Sequence, residues 1–238
     1  MANTVFRFKQ FTIHQDKTAM KIGTDGVLFG AWAHFLKSDW ILDIGSGTGI
    51  LSLIAAQNSQ AQICAIDIEQ DAYLQTKENA ENSIFCNRIF AIHTSIQDFM
   101  IQNTILFGTI ICNPPFFQNS LKSPNIQRNV ARHTVSLEFE VLLDAVSKLL
   151  SEQGVFYVLL PIESKFKFDS FARQKKLCLQ KCLYIKSVPY KNAHRVALCY
   201  GKNTNESISE ETIVVEIESR KAYSMEYIQL TKEFYLEF

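Results

Sequence analysis

The chain has 238 residues, 47% of them hydrophobic, and its 24 basic and 24 acidic side chains cancel to a formal net charge of zero. That is enough apolar material for one large core, and it excludes the global basic footprint of many nucleic-acid binders. No apolar run reaches the ~18 residues of a membrane span and residues 1–10 lack the apolar centre of a signal peptide, so a cytoplasmic location is expected.

In chain order, residues 21–33 form a glycine-containing segment that can cap a core with Val27, Leu28 and Trp32. Residues 40–44 (WILDI) are a short apolar run ending in a glycine-rich turn, after which Ile50, Leu51, Leu53 and Ile54 recur at helical spacing. Residues 62–67 (QICAID) supply a second buried strand, and 69–83 a helix carrying Ala72, Leu74 and Ala80 among polar residues. Further strands are expected at 89–93 and 107–112, a helix at 137–150, a turn at Gly154 and a strand at 155–160. This alternation predicts an α/β fold: a Rossmann-like, mostly parallel sheet with helices on both faces.

After Pro161 the sequence predicts a helix at 164–176, then strands at 177–188 and 195–200 close enough to make an antiparallel edge to the sheet. A polar link at 203–209 leads to one more strand at 212–217. The expected organisation is a single domain, with a cap at 1–38, a core at 39–202 and a C-terminal extension at 203–238. The segment 116–135 is polar and basic without clear periodicity, and loops of that length usually bind or close over something.

Charge is unevenly placed. No acid lies between Phe117 and Glu138, where Lys122, Arg128, Arg132 and His133 occur, and Asp169 is the only acid between Lys165 and Lys202. Every charge from Glu206 to Glu218 is negative, so neutrality arises by cancellation and leaves room for a local basic face. The six cysteines (Cys64, Cys86, Cys112, Cys178, Cys182, Cys199) include no C-x-x-C pair, and most sit in apolar runs where a thiol packs as a small hydrophobe. Neither a disulfide nor a metal site is expected, and nothing indicates an obligatory protein partner.

The chemistry concentrates in two motifs. Asp43-Ile44-Gly45-Ser46-Gly47-Thr48-Gly49 lies where a strand ends and a helix starts, where glycines permit tight turns and close approach of a ligand to the main chain. Asp67 ends the next strand 18 residues after Gly49, placed to accept hydrogen bonds from ribose hydroxyls. The G-x-G-x-G spacing differs from the dinucleotide fingerprint, and no Walker-type lysine follows, which argues against NAD and ATP. Asn113-Pro114-Pro115-Phe116 follows the strand at 107–112, on the same edge of the sheet as the glycine loop. The two prolines stiffen the turn. The Asn113 side-chain oxygen and the Pro114 carbonyl can each accept one N–H of a planar amine, and Phe116 can stack on its ring.

The glycine loop resembles motif I of the class I S-adenosylmethionine-dependent methyltransferases, and the tetrapeptide resembles motif IV of amino-methyltransferases acting on adenine N6, guanine N2 or a glutamine amide. The segment Lys21-Ile22-Gly23-Thr24-Asp25-Gly26-Val27-Leu28-Phe29-Gly30-Ala31-Trp32-Ala33 resembles the N-terminal signature of the bacterial tRNA1(Val) adenine-37 N6-methyltransferase family. That likeness extends through Phe8-Lys9-Gln10-Phe11, Asn113 to Phe117, His194-Arg195-Val196 and Glu233-Phe234-Tyr235-Leu236. It implies S-adenosylmethionine as cofactor, bordered by Thr24, Asp25, Asp43, Gly45, Gly47, Gly49, Asp67, Ile68, Ser95, Ile96 and Asn113, with Asn113, Pro114, Pro115 and Phe116 catalytic. Ser95 is a departure, since the family of methyltransferases often has Asp at that position to receive the adenine amino group.

By the same resemblance the substrate is adenine 37 in the anticodon loop of a tRNA, an unpaired base that is cheaper to splay out than one in a duplex. Lys122, Arg128 and Arg132 are then expected on anticodon phosphates, and Lys191 and Arg195 on the stem. The competing expectations are N-methylation of ribosomal RNA guanine N2 or adenine N6, methylation of a protein glutamine, and a non-catalytic S-adenosylmethionine-binding RNA factor.

Overall fold

The computed structural model describes residues 4–18, 20–114, 139–203, 207–218 and 222–238. Among them an eight-stranded sheet is built on β3 (Trp40–Ile44), β4 (Gln62–Asp67), β5 (Ile89–His93) and β6 (Phe107–Cys112). It continues through β7 (Leu150–Pro161), β8 (Cys178–Lys186), β9 (Arg195–Gly201) and β10 (Ser209–Val214). The order across the sheet is β10-β8-β9-β7-β6-β3-β4-β5. The five strands from β7 to β5 run parallel, and β9 is antiparallel to both β7 and β8. β10 lies outside β8 and parallel to it, extending the sheet by one strand beyond the antiparallel pair.

Helices α1 (Thr24–Trp32), α2 (Ile50–Asn58), α3 (Gln70–Glu81), α4 (Ile96–Gln102), α5 (Phe139–Leu149), α6 (Lys165–Gln174) and α7 (Met225–Thr231) complete the chain order. Two apolar clusters occupy the two sides of the sheet. One joins α1 and α2 to alternate strand residues such as Ile41, Ile63 and Ile111; the other joins α5 and α6 to Leu42, Ile110 and Phe156. That alternation is the period-2 outcome of strands covered on both faces. Every residue from Ile50 to Ala56 is buried, because α1 lies over the outer side of α2. Gly30 permits this approach, since a Cβ there would sit 2.8 Å from Ile54 Cδ1.

The N-terminal segment forms an antiparallel pair, β1 (Val5–Arg7) and β2 (Thr12–His14), that docks on the C-terminal end of the chain. Phe8 bridges to Tyr235, the Lys9 amide donates to the Phe234 carbonyl at 2.8 Å, and Lys9 Nζ donates to the Phe238 carbonyl at 2.8 Å. Phe6, Phe8, Phe11 and Tyr235 pack ring against ring at this junction.

The turn expected at Gly154 is instead part of β7, which starts at Leu150. Between the pairs Phe107–Leu150 and Thr109–Val155 the register shifts, so the extra β7 residues bulge rather than turn the chain. Gly154 suits the bulge because a Cβ there would sit 2.8 Å from Leu150 Cδ1.

Candidate active site

β3, β4 and β6 all end at one edge of the sheet, and each delivers one chemical element there. The loop after β3 carries Gly45, Gly47 and Gly49 at φ of +71°, +59° and +78°, a left-handed region in which side chains with a Cβ are strained. The Gly45 and Ser46 amides donate to the Ile66 carbonyl at 2.9 and 3.1 Å, folding the loop over the end of β4. A Cβ on Gly45 would meet no atom within 4 Å, so the loop's outer side opens on free space, whereas one on Gly49 would lie 3.2 Å from Thr76 Cγ2.

Asp67, at the end of β4, is nearly buried and accepts the Gly47 amide on Oδ2 at 2.8 Å and the Glu69 amide on Oδ1 at 2.9 Å. Burial pushes its pKa up, and these amide bonds oppose the shift. Ile68, the next residue, is 41% exposed, and its carbonyl accepts from His93 Nε2 at 2.9 Å.

Asp43 is fully buried at the end of β3. Its Oδ2 accepts from the Ser52 hydroxyl at 2.6 Å, while Oδ1 has no hydrogen-bond partner among the described residues. Burial raises the Asp43 pKa from 3.8 to about 7, against the opposing bond from Ser52 and with a smaller push from Asp67. A group whose folded pKa is raised contributes stability that is complete below its unfolded pKa and is lost as pH rises through the folded value. Asp43→Asn, which cannot ionise, should therefore leave stability near that of the wild type at pH 4 and exceed it at pH 8, by at most about 4 kcal/mol at 1.36 kcal/mol per pKa unit. Urea unfolding of the ligand-free protein at the two pH values checks this; parallel curves would mean that the charge is solvated in the folded state.

Asn113 follows β6, half-buried between the fully buried Cys112 and the buried Pro114. Its Nδ2 lies 3.9 Å from where a Cβ on Gly26 would stand, so α1 leans on Asn113. Among the described residues no hydrogen bond engages the Asn113 amide. Pro115, Phe116, Lys122, Arg128 and Arg132 lie outside the described residues.

Ser95 caps α4: its hydroxyl accepts the Asp98 amide at 3.0 Å and donates to Asp98 Oδ2 at 2.6 Å. The hydroxyl is thus engaged locally. The Ile96 side chain is buried in the core, so only its main chain can serve a ligand. Thr24 opens α1 and is exposed. Asp25, beside it, meets His194 Nε2 at 3.1 Å and Arg195 Nε at 3.8 Å. Arg195 therefore stands at the rim of the site with an acid next to its charge. Lys191 is exposed in the β8–β9 connection.

The sequence reading missed the residues that brace the glycine loop. Gln75, Thr76 and Asn79 form a fully buried polar stripe on α3. Asn79 Nδ2 donates to the Thr48 and His14 carbonyls at 2.8 and 2.7 Å, and its Oδ1 accepts the His14 amide at 2.8 Å. The Thr76 hydroxyl lies 2.9 Å from that of Ser46 and 3.0 Å from the Gly47 carbonyl. The available signal was polar side chains at i, i+1 and i+4 on the face that a helix over a sheet must bury.

Among the described residues no group of three or more His, Cys, Asp or Glu could hold a metal, and no helix is long and apolar enough to cross a membrane. A mostly parallel sheet with helices on both faces, a glycine loop in the left-handed region over a buried carboxylate and an amide at the neighbouring strand end define a class I methyltransferase. The chain superimposes on the crystal structure of a predicted O-methyltransferase from Agrobacterium tumefaciens with a TM-score of 0.67 at 15% identity, covering 88% of this chain and 96% of that one. The model of the methyltransferase small domain matches residues 27–138.

Among full-length relatives, a tRNA1(Val) (adenine(37)-N6)-methyltransferase of Phocaeicola vulgatus is 43% identical over 237 residues, covering 99% of each chain. Another of that name from Flavobacterium johnsoniae is 41% identical over 235 residues, covering 98% of this chain and 100% of that protein. The chain belongs to the tRNA1(Val) (adenine(37)-N6)-methyltransferase family and is an S-adenosylmethionine-dependent enzyme.

Proposed function

We propose that this chain methylates N6 of adenine 37 in the anticodon loop of tRNA1(Val), in the cytoplasm. The observation that carries the reading is the placement of the Asn113 amide, held by buried neighbours beside the glycine loop and unengaged among the described residues, in a chain 43% identical across its length to an enzyme of that name. The residues fit the cofactor. The outward side of the loop is open at Gly45, the Asp67 carboxylate suits a ribose, and the unpartnered Oδ1 of buried Asp43 suits an ammonium group. We assign Gly45, Gly47, Gly49, Asp43 and Asp67 to that contact, with Ile68 against the adenine face, the Ile96 main chain at its edge, and Ser95 holding α4 in place. Thr24, Asp25 and Asn113 border the methionine end.

S-adenosylmethionine supplies an electrophilic methyl group on a sulfonium. The protein's task is to present the nitrogen. An adenine amine is a poor nucleophile because its lone pair is delocalised into the ring. Asn113 Oδ1 and the Pro114 carbonyl each accept one N–H, which turns the lone pair toward the methyl group as nitrogen becomes tetrahedral. The proton leaves to water after the N–C bond forms, so no strong base is required. Pro115, with its fixed φ, would stiffen the turn, and Phe116 would stack on the base. Lys122, Arg128 and Arg132 would hold anticodon phosphates, with Lys191 and Arg195 nearer the stem. The domain reading accompanies this one: a single unit in which 1–38 and 203–238 cover the core at 39–202, supported by the Phe8–Tyr235 bridge.

Purified protein incubated with labelled S-adenosylmethionine and separate tRNA, ribosomal RNA and protein pools should label tRNA, with N6-methyladenosine recovered after nuclease digestion. Label confined to ribosomal RNA or protein would overturn the substrate assignment. Absence of any label under conditions where the cofactor binds would favour a non-catalytic RNA factor.

A further inference from the structure

The β8–β9 connection, residues 187–194, stands at the catalytic edge of the sheet. β8 runs parallel to β10 and antiparallel to β9, which is antiparallel to β7, so β8 ends at the same edge as β7 and β6. Its tip carries Tyr190, which is 77% exposed. A lone exposed aromatic on a surface requires no explanation, but this one is displayed by a loop fastened along its length. Val188 is buried beneath it. Lys186 Nζ donates to the Pro189 carbonyl at 2.7 Å, and the Lys191 amide donates to the Val188 carbonyl at 3.2 Å. The His194 amide donates to the Ile185 carbonyl at 3.0 Å, and the Ser187 carbonyl accepts the Glu216 amide at 2.9 Å. His194 also meets Asp25 on α1, at 3.1 Å, which ties the loop to the helix that leans on Asn113.

A ring held out on a rigid turn loses little freedom when something stacks on it. Within the loop and its strand ends the charged side chains are Lys186, Lys191 and Arg195, with no acid in the sequence from residue 170 to 203; the acids that reach it from elsewhere are Asp25, at His194 and Arg195, and Glu216, whose amide donates to the Ser187 carbonyl. β8 is separated from β6 by β9 and β7, which puts the loop's base on the order of 14 Å from the strand that ends at Asn113, at about 4.8 Å per strand spacing. An anticodon loop presenting one purine to Asn113 would pass its neighbouring unpaired nucleotides over that distance.

We infer that Tyr190 is a stacking platform for an unpaired base flanking the target adenine on its stem side, with Lys191 on the adjoining phosphate where the loop meets the stem. The inference rests on the tRNA reading of the same site and names a part of the RNA interface outside the acceptor pocket. Aromatic stacking is sequence-tolerant and salt-insensitive, whereas a phosphate contact is salt-sensitive.

The test compares wild type, Tyr190→Ala, Tyr190→Phe and Lys191→Ala in binding to an anticodon stem-loop RNA across a salt series, and in steady-state methylation of tRNA. Tyr190→Ala should raise Kd and KM about 5- to 150-fold, leave kcat at saturating RNA unchanged and keep the wild-type salt slope. Tyr190→Phe should stay within about twofold of wild type, because the ring remains. Lys191→Ala should flatten the slope of log K against log salt by about 0.7. An unchanged Kd for Tyr190→Ala, or an equal loss in Tyr190→Phe, would overturn the stacking role while wild-type tRNA methylation stands. A wild type that leaves tRNA unmethylated would instead remove the reading beneath it.

Discussion

Asn113→Ala should lower kcat for methyl transfer by about 10²- to 10³-fold, the cost commonly measured when one preorganised group that acts on the reacting centre is removed. Affinity for S-adenosylmethionine should stay within about threefold. The asymmetry follows from the structure. The Asn113 amide serves no partner among the described residues, so its loss leaves the neighbouring fold intact: Cys112 and Pro114 stay buried and the glycine loop is braced from α3. What disappears is the acceptor that turns the amine's lone pair. Single-turnover methylation of tRNA, paired with calorimetric titration of the cofactor, separates the two quantities. Equal loss of both would mean that Asn113 mainly shapes the pocket.

The second large effect belongs to Asp67. Asp67→Ala should raise the Kd for S-adenosylmethionine by about 100-fold or more, since hydrogen bonds to a charged acceptor contribute roughly 1.5–3 kcal/mol each and a ribose can make two. The substitution also strips the Gly47 and Glu69 amides of their acceptor, so part of the loss comes from a glycine loop that no longer keeps its shape. Asp67→Asn retains one acceptor oxygen and should fall between alanine and wild type. RNA affinity measured without cofactor should be unchanged in both variants. A cofactor Kd within threefold of wild type for Asp67→Ala would remove Asp67 from the contact.

The central strands were legible in the sequence because a parallel sheet covered on both faces forces nearly continuous apolar runs. WILDI, QICAID and FGTIIC are read and found at the same residues, and so is IFAIH, although β5 is the edge strand and only Ile89 of its five residues is buried. Helices emerged to within a few residues where the apolar stripe was long, as in α5. α4 went unread because it is short and buries only Ile96 and Phe99, and β1 and β2 because three-residue strands carry no period. β10 is offset toward the chain start from its expected span of 212–217: its first four residues are exposed and polar, leaving no alternation to mark the strand.

In the site, the glycine spacing and the acid ending β4 announced the loop and Asp67, but the sequence could not say how side chains are engaged. Ser95 is spent on its own helix, Ile96 on the core, and Asp25 on His194 and Arg195. The Asp25 pairing joins residues 169 positions apart, out of reach of a local pattern, whereas the Ser95–Asp98 cap spans only three.

The buried polar stripe of α3 has a consequence for when the cost of order is met. With Thr76 and Asn79 fastening Ser46, Gly47 and Thr48 from behind, the main-chain entropy of the glycine loop is surrendered once, as the protein folds. A ligand arriving later meets a mould already set, and more of its interaction energy remains as affinity.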